Sequence, residues 1–361
     1  MNRDLMHSAE IKEMVRDAYR AVGSDTTSVA SRLYSREELA DVPLFAAARA
    51  LGVGNHLRHA DIEPGSIVLD IGCGAGIDSI IAARLTGSEG RVIGLDFLPE
   101  MLSRTASAAA EAGLNNLETL EGEMEAIPLP DGSVDLVIAN GVVNLSPRKS
   151  RVLAECARVL RVGGGLCMSD LTMQDEELPP EVLTHPAAWA GCVAGVLTER
   201  LYLEKLERVG FEDVRVVNRQ RFGIDECAEY PLFTEELIAL MRRLIPAARH
   251  DSVATSVVIK GRRAQRMRSR LEDGSSVAEG AEVGAIHYFD AGNLGCASGL
   301  AEEFRRRLEA IEPGDRLEVV ARDPAAKEDL PSLARMLGHQ VSSVESRSDG
   351  GVVMTVERRA T

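Results

Sequence analysis

The feature of the chain that most constrains its fold is the run Val68-Leu69-Asp70-Ile71-Gly72-Cys73-Gly74-Ala75-Gly76. An apolar, β-rich stretch leads into three glycines at alternate positions, and a helical pattern follows over 77–86. Without a Cβ, each glycine lets the backbone turn tightly and lets a ligand approach the main chain. A Gly-x-Gly-x-Gly turn alone also serves strand-to-helix packing. A dinucleotide fingerprint would place its third glycine one residue later, where Ile77 stands. The acid ahead of the first glycine, Asp70, departs from that pattern too. Asp96 closes the next apolar run, where a carboxylate can accept both hydroxyls of a ribose. The combination fits a nucleoside that carries an ammonium and a sulfonium rather than a pyrophosphate.

Around this loop, strand patterns at 67–71, 91–95, 117–121, 134–139 and 164–170 alternate with helical patterns near 77–86, 98–112 and 148–160. That alternation predicts right-handed βαβ units in a parallel sheet with helices on both faces, an α/β, Rossmann-like fold over 63–262. Residues 1–62 read as a helical region that completes the site. Ile11, Met14, Val15, Ala18 and Tyr19 form a stripe, and Ser35 with Glu38 three residues on has the form of a capped helix start. Past Asp170, a helix carrying Leu197, Leu201, Leu206 and Val209 ends at Gly210. Strands at 214–217 and 253–259 then flank an apolar helix at 234–244. Residues 263–282 have the composition of a linker. Residues 283–361 show a β-α-β-α-β-β order, which predicts a small separate α+β domain.

Charge and cysteine usage exclude whole classes of function. With 41 Lys and Arg against 56 Asp and Glu, the net charge of −15 argues against a nucleic-acid or anionic-membrane binder. No apolar stretch approaches the ~20 residues of a membrane span, and the N-terminus lacks the apolar core of a signal peptide. Six cysteines are too few for a disulfide scaffold. The expectation is a cytoplasmic protein with free thiols and no resident metal, and the sequence does not speak to its oligomeric state.

The segments VLDIGCGAG, VIGLDFLPEML, GEMEAIPLPDGSVDLVIAN and RVLRVGGGL, in that order within residues 68–166, resemble the motif series of class I S-adenosylmethionine (SAM)-dependent methyltransferases. The resemblance implies that Asp70 and the backbone of Gly72, Cys73, Gly74, Ala75 and Gly76 face the methionine portion of SAM. It gives Asp96 the ribose, Phe97 and Met101 the adenine side, and Glu123 with Met124 the adenine edge, Glu123 accepting from the exocyclic amine. Asn140 falls where cofactor meets acceptor. Cys73 reads as a small filler of the loop rather than a nucleophile.

Methyl transfer from a sulfonium is an in-line displacement on an activated carbon, so the protein mainly aligns the acceptor and excludes water. A hydroxyl or amine acceptor wants a general base; a soft acceptor with a free lone pair needs none. Tyr34–Ala40, Asn140–Pro147 and Trp189–Leu197 resemble the arsenite methyltransferases, a likeness that covers residues 11–260. In that family thiolates hold trivalent arsenic, a soft centre matched to sulfur. Cys192 matches its Cys-x-x-Gly-x-Leu stretch. The family's upstream Leu-Gly-Cys-Gly-Asn-Pro reads here Leu51-Gly52-Val53-Gly54-Asn55-His56, without the thiol, and no cysteine pair lies near the N-terminus. One thiol does not chelate arsenic alone. Cys227, a bound small-molecule thiol, His56 or His59 would supply a further donor. Each has a plain reading beside that one: Cys192 and Cys227 as small core residues, the histidines as surface groups near a helix end. Trivalent arsenic is therefore the leading acceptor. A thiol, persulfide, selenium or other small-molecule acceptor is the alternative, as is a SAM-binding sulfur-relay protein without catalysis.

The tail, with Phe289-Asp290-Ala291-Gly292-Asn293-Leu294-Gly295-Cys296, Ile311-Glu312-Pro313-Gly314-Asp315 and Leu337-Gly338-His339, resembles the TusA/SirA-like sulfur-carrier domains over 284–358. Their reactive cysteine opens a helix in a Cys-Pro-x-Pro context; Cys296 here begins Cys-Ala-Ser-Gly. A thiol in a first helical turn faces unpaired amides, which favour thiolate. Cys296 would then carry a persulfide or present a soft substrate for methylation; its plain reading is an inert cap residue.

Overall fold

The strand order reverses at the middle of a seven-stranded sheet, and that reversal sets the position of everything described below. The strands are β1 (Ile67–Ile71), β2 (Arg91–Asp96), β3 (Leu117–Glu121), β4 (Val134–Asn140), β5 (Leu160–Thr172), β6 (Phe211–Phe222) and β7 (Ala254–Arg263). They lie in the order β3-β2-β1-β4-β5-β7-β6. This is a computed structural model, and it describes residues 13, 15–20, 26–173, 178–183, 185, 187–188, 191–193, 196–264, 286–292, 300–323, 326–337, 339–346 and 351–359.

From β1 the chain steps outward through β2 and β3, then returns to the other side of β1 as β4. All of these neighbours pair in parallel, and β4 pairs in parallel with β5. Helices Ile77–Thr86, Pro99–Glu111 and Lys149–Val159 make the crossovers. β1 is an apolar run because it is covered on both faces: Val68, Leu69 and Ile71 are fully buried. A crevice opens beyond the carboxyl ends of β1 and β4, the switch point of such a sheet.

β7, a strand whose direction the sequence leaves open, runs antiparallel to β5 with Ser169 opposite Val258. The chain between β6 and β7 holds only short helices, Ile224–Ala228 and Glu235–Leu244, and β7 inserts between β5 and β6. The helix expected to start at Ser35 is a turn. Its capping bonds form, with Ser35 N donating to Glu38 Oε2 at 2.6 Å and Glu38 N to Ser35 Oγ at 3.3 Å. Pro43, without an N–H, follows too soon for a helix to propagate through it.

The structure divides into two units, Met1–Glu207 with Glu212–Arg263, and Arg208–Phe211 with Ala264–Thr361. The second unit contains a four-stranded sheet of β8 (Ile286–Gly292), β9 (Arg316–Ala321), β10 (Gln340–Ser346) and β11 (Val352–Glu357), in the order β10-β11-β9-β8. β8 and β9 are parallel and the other pairs antiparallel. Helices Leu300–Glu309 and Ala326–Met336 complete the α+β arrangement read from the sequence. Its core is formed by Phe289, Leu300, Phe304, Leu308, Leu317, Val319, Met354 and Val356. Among the described residues no helix is long and apolar enough to cross a membrane.

Candidate active site

The glycine loop turns as its sequence requires. Gly72, Gly74 and Gly76 have φ of +72°, +56° and +93°, values that side chains rarely adopt. A Cβ on Gly72 would also stand 2.8 Å from Val142 Cγ2, so only glycine lets this loop pass the segment after β4. The loop backbone from Gly72 to Ala75 forms one wall of a cavity at the switch point.

Asp96, Phe97, Met101, Glu123 and Met124 line the same cavity. Asp96 is held in place by two amides: Gly74 N donates to its Oδ2 at 3.1 Å and Leu98 N to its Oδ1 at 3.0 Å. Burial pushes its carboxyl up, and those backbone donors oppose the shift. The Arg16 guanidinium lies 5.8 Å from the Phe97 ring centre, at the outer side of the wall. Cys73 packs beneath the loop: a Cβ on Gly94 would touch its Sγ and Cβ at 3.1 Å, and Thr105 Oγ1 donates to its Sγ at 3.5 Å.

Two of the residues assigned from the sequence have side-chain partners that spacing does not reveal. Asp70 is buried and is not part of the cavity wall; its Oδ2 accepts from Ser79 Oγ at 2.5 Å. Asp78, on the first turn of the following helix, lines the cavity where Asp70 does not. Asn140 lines the cavity as well, but its amide is occupied as a staple. Its Oδ1 accepts from Val53 N at 2.9 Å and Gly54 N at 3.3 Å. Its Nδ2 donates to Gly54 O at 2.9 Å, Asp78 Oδ2 at 3.0 Å and Tyr34 Oη at 3.2 Å. A Cβ on Gly52 would collide with this amide, so the 51–54 loop approaches β4 only because Gly52 is bare.

Tyr34 Oη donates to Asp78 Oδ1 at 2.7 Å. Together with Tyr19, Arg49 and Leu51 it brings the N-terminal region into the cavity wall.

Cys192 has a left-handed backbone, φ +58°, unusual for a side-chain-bearing residue. Its Sγ donates to Gly141 O at 3.1 Å, and Gly141 lines the cavity. Burial, and then the Asp170 carboxylate, push the thiol up; the Lys149 ammonium and the Tyr19 hydroxyl pull it back down. Asp170 accepts from Asn144 N at 3.1 Å, Asn144 Nδ2 at 2.7 Å and Tyr202 Oη at 3.1 Å, and burial lifts its carboxyl to about 6. Lys149 Nζ donates to Ser146 O at 2.9 Å. Val53 leans on the other side of the same glycine: a Cβ on Gly141 would meet Val53 Cγ1 at 3.2 Å.

Cys227 is buried on the helix Ile224–Ala228, and its electrostatic neighbours are Glu226 and Arg32 rather than the partners of Cys192. Burial, reinforced by Glu226, pushes its thiol up. His56, expected at the surface, is fully buried, and burial lowers its pKa. His59 is half-buried. Cys296 and Trp189 lie outside the described residues.

Residues 62–210 match the methyltransferase domain family, and residues 301–358 match the sulfurtransferase TusA family. Two separate segments of the chain are thus similar to a methyltransferase domain and to a TusA domain. The methyltransferase part is 36% identical over 245 residues to an arsenite methyltransferase of Halobacterium salinarum, covering 61% of this chain and 61% of that one. It is 30% identical over 240 residues to the human arsenite methyltransferase, covering 59% and 61%. The chain thus spans about three-fifths of the length of these curated relatives. A crystal structure of an arsenic(III) S-adenosylmethionine methyltransferase from Chlamydomonas reinhardtii is 34% identical, with 64% of this chain and 73% of that chain covered and a TM-score of 0.49.

In the methyltransferase domain, spacing alone missed Asp78, Tyr19, Arg49, Lys149 and Asp170. Asp78 carried one local signal, an acid two residues after the last loop glycine. The others reach the cavity or Cys192 from distant parts of the chain.

Proposed function

We propose that the protein transfers a methyl group from SAM to a soft, thiophilic acceptor, and that the acceptor is trivalent arsenic. The observation that carries this reading is the Cys192 thiol anchored on Gly141 O, at the carboxyl end of β4, on the glycine that also walls the cavity. Two curated relatives are named for arsenite methylation, and a thiol is the donor that trivalent arsenic prefers.

The cavity suits an adenosyl sulfonium. The bare loop Gly72–Gly76 would give it main chain to lie against, and Asp96, oriented by Gly74 N and Leu98 N, would accept from both ribose hydroxyls. Phe97 and Met101 would cover the adenine, with Glu123 and Met124 at its edge. When bound, SAM supplies a methyl carbon already activated by its positive sulfur. The chain's own task is to orient and to exclude water. Tyr19 and Tyr34 from the N-terminal region complete the wall. No general base is required for an arsenic lone pair.

Val53 adds a chemical constraint. It occupies the position where the resemblance places a second thiol, against the same Gly141. Among the described residues, no group of three His, Cys, Asp or Glu side chains converges as a ligand set. Arsenic at Cys192 would therefore keep small-molecule thiolates brought from solution as its other ligands.

The test is release of S-adenosylhomocysteine (SAH) with arsenite plus a small thiol, compared with selenite, the thiol alone and a persulfide. Turnover that depends on arsenite supports the reading; turnover with the thiol alone replaces its acceptor.

A further inference from the structure

Two acids lie where the glycine loop passes into the helix Ile77–Thr86, and neither has a cation among the described residues. Asp78 presents its carboxylate to the cavity, where it accepts from Tyr34 Oη and Asn140 Nδ2. Asp70 lies behind it, fully buried, and accepts from the hydroxyl of Ser79, the residue next to Asp78. The groups facing these acids are Ser79 from the helix, Cys73 from the glycine loop, Asp96 from β2, Tyr34 and His56 from the N-terminal region, and Asn140 from β4. Arg49 lines the same cavity. Among the described residues no Lys or Arg forms an ion pair with Asp70 or Asp78.

A fully buried carboxylate with a second acid among its electrostatic neighbours does not ionise readily without a counter-charge. Resting on the proposed SAM-type cofactor, we infer that Asp70, buried beside Asp78, carries a proton in the ligand-free protein, and that the α-ammonium of the cofactor displaces it. The proton leaves Asp70 for solvent, Asp70 becomes carboxylate, and the incoming ammonium, set against Asp78, supplies the single positive charge that the proton had supplied. Burial, with Asp78 second, raises the Asp70 carboxyl to about 8, so the group carries its proton at neutral pH until a cation arrives. Asp78 is then the residue that receives the ammonium, and cofactor affinity is tied to pH through a group that does not touch the ligand.

Calorimetric titration of the full chain with SAH at pH 7, in two buffers of different ionisation enthalpy, counts the protons exchanged. The expected result is release of close to one proton per site, with affinity rising about tenfold from pH 6 to pH 7. Asp70→Asn should bind SAH with no release. Should that variant not fold, 5′-methylthioadenosine, which keeps the nucleoside and lacks the amino-acid part, should bind the unaltered chain with no release. Binding of SAH without net proton exchange, or equal release with 5′-methylthioadenosine, overturns the inference and leaves the proposed function standing. Absence of any SAH binding overturns both.

Discussion

Tyr34 and Asp78, 44 residues apart, share a 2.7 Å hydrogen bond that ties the N-terminal region to the helix after the glycine loop. Asp78 is bonded on its other oxygen by Asn140, so one carboxylate joins three parts of the chain at the cavity wall. Tyr34→Phe removes a neutral donor from this acid and leaves the ring in place. The expected loss is about 1.5–3 kcal/mol of stability, the range for a hydrogen bond to a charged group, with weaker SAH binding alongside. Urea unfolding and calorimetry of the variant measure the two effects.

Asp96→Ala should weaken SAH binding by at least about tenfold, since bonds to a charged acceptor are each worth about 1.5–3 kcal/mol. Gly74 N and Leu98 N lose their acceptor in this variant. Unchanged affinity would remove Asp96 from the ribose.

Cys192→Ser keeps the size of the side chain and its bond to Gly141 O but replaces a soft donor by a hard one. Arsenite binding should be lost while SAH binding is unchanged. The complementary change, Val53→Cys, sets a second thiol against Gly141 and should raise arsenite affinity at least about tenfold in the absence of added thiol. Equilibrium dialysis with arsenite measures both.

Asp70 also sets a pH dependence of stability. Its carboxyl is raised to about 8, first by burial and then by Asp78, against ~3.9 in an unfolded chain. Between those values the folded state binds more protons than the unfolded one, so this group's contribution falls as pH rises from about 4 towards 8. Asp70→Asn removes that slope. In ligand-free protein the variant should gain on the unaltered chain as pH rises from 6 to 8, as read from thermal midpoints; a constant difference would contradict this.

What the sequence displayed was whatever local spacing controls. The Gly72–Gly76 loop, the β1 run before it and Asp96 at the end of β2 follow from residues that are neighbours in the chain, and they stand where the pattern put them. The crossover helices were legible for the same reason. Asp70 and Asn140 were singled out by position, but their side-chain roles depend on partners that position does not reveal: Ser79 for one, and Val53, Gly54 and Asp78 for the other. Burial of His56 and separation of Cys227 from the electrostatic neighbours of Cys192 are tertiary outcomes of the same kind. β7 gave a correct strand and no direction, because a strand's period is the same whichever way it runs.

The central claim is methyl transfer to arsenic held at Cys192. It is tested most directly by incubating the full chain with methyl-labelled SAM, arsenite and a small thiol, then separating the arsenicals and following the label. The account predicts label in methylated arsenic with the unaltered chain and only traces with Cys192→Ser. Label that stays in SAM, or that reaches arsenic equally well with Cys192→Ser, would contradict it.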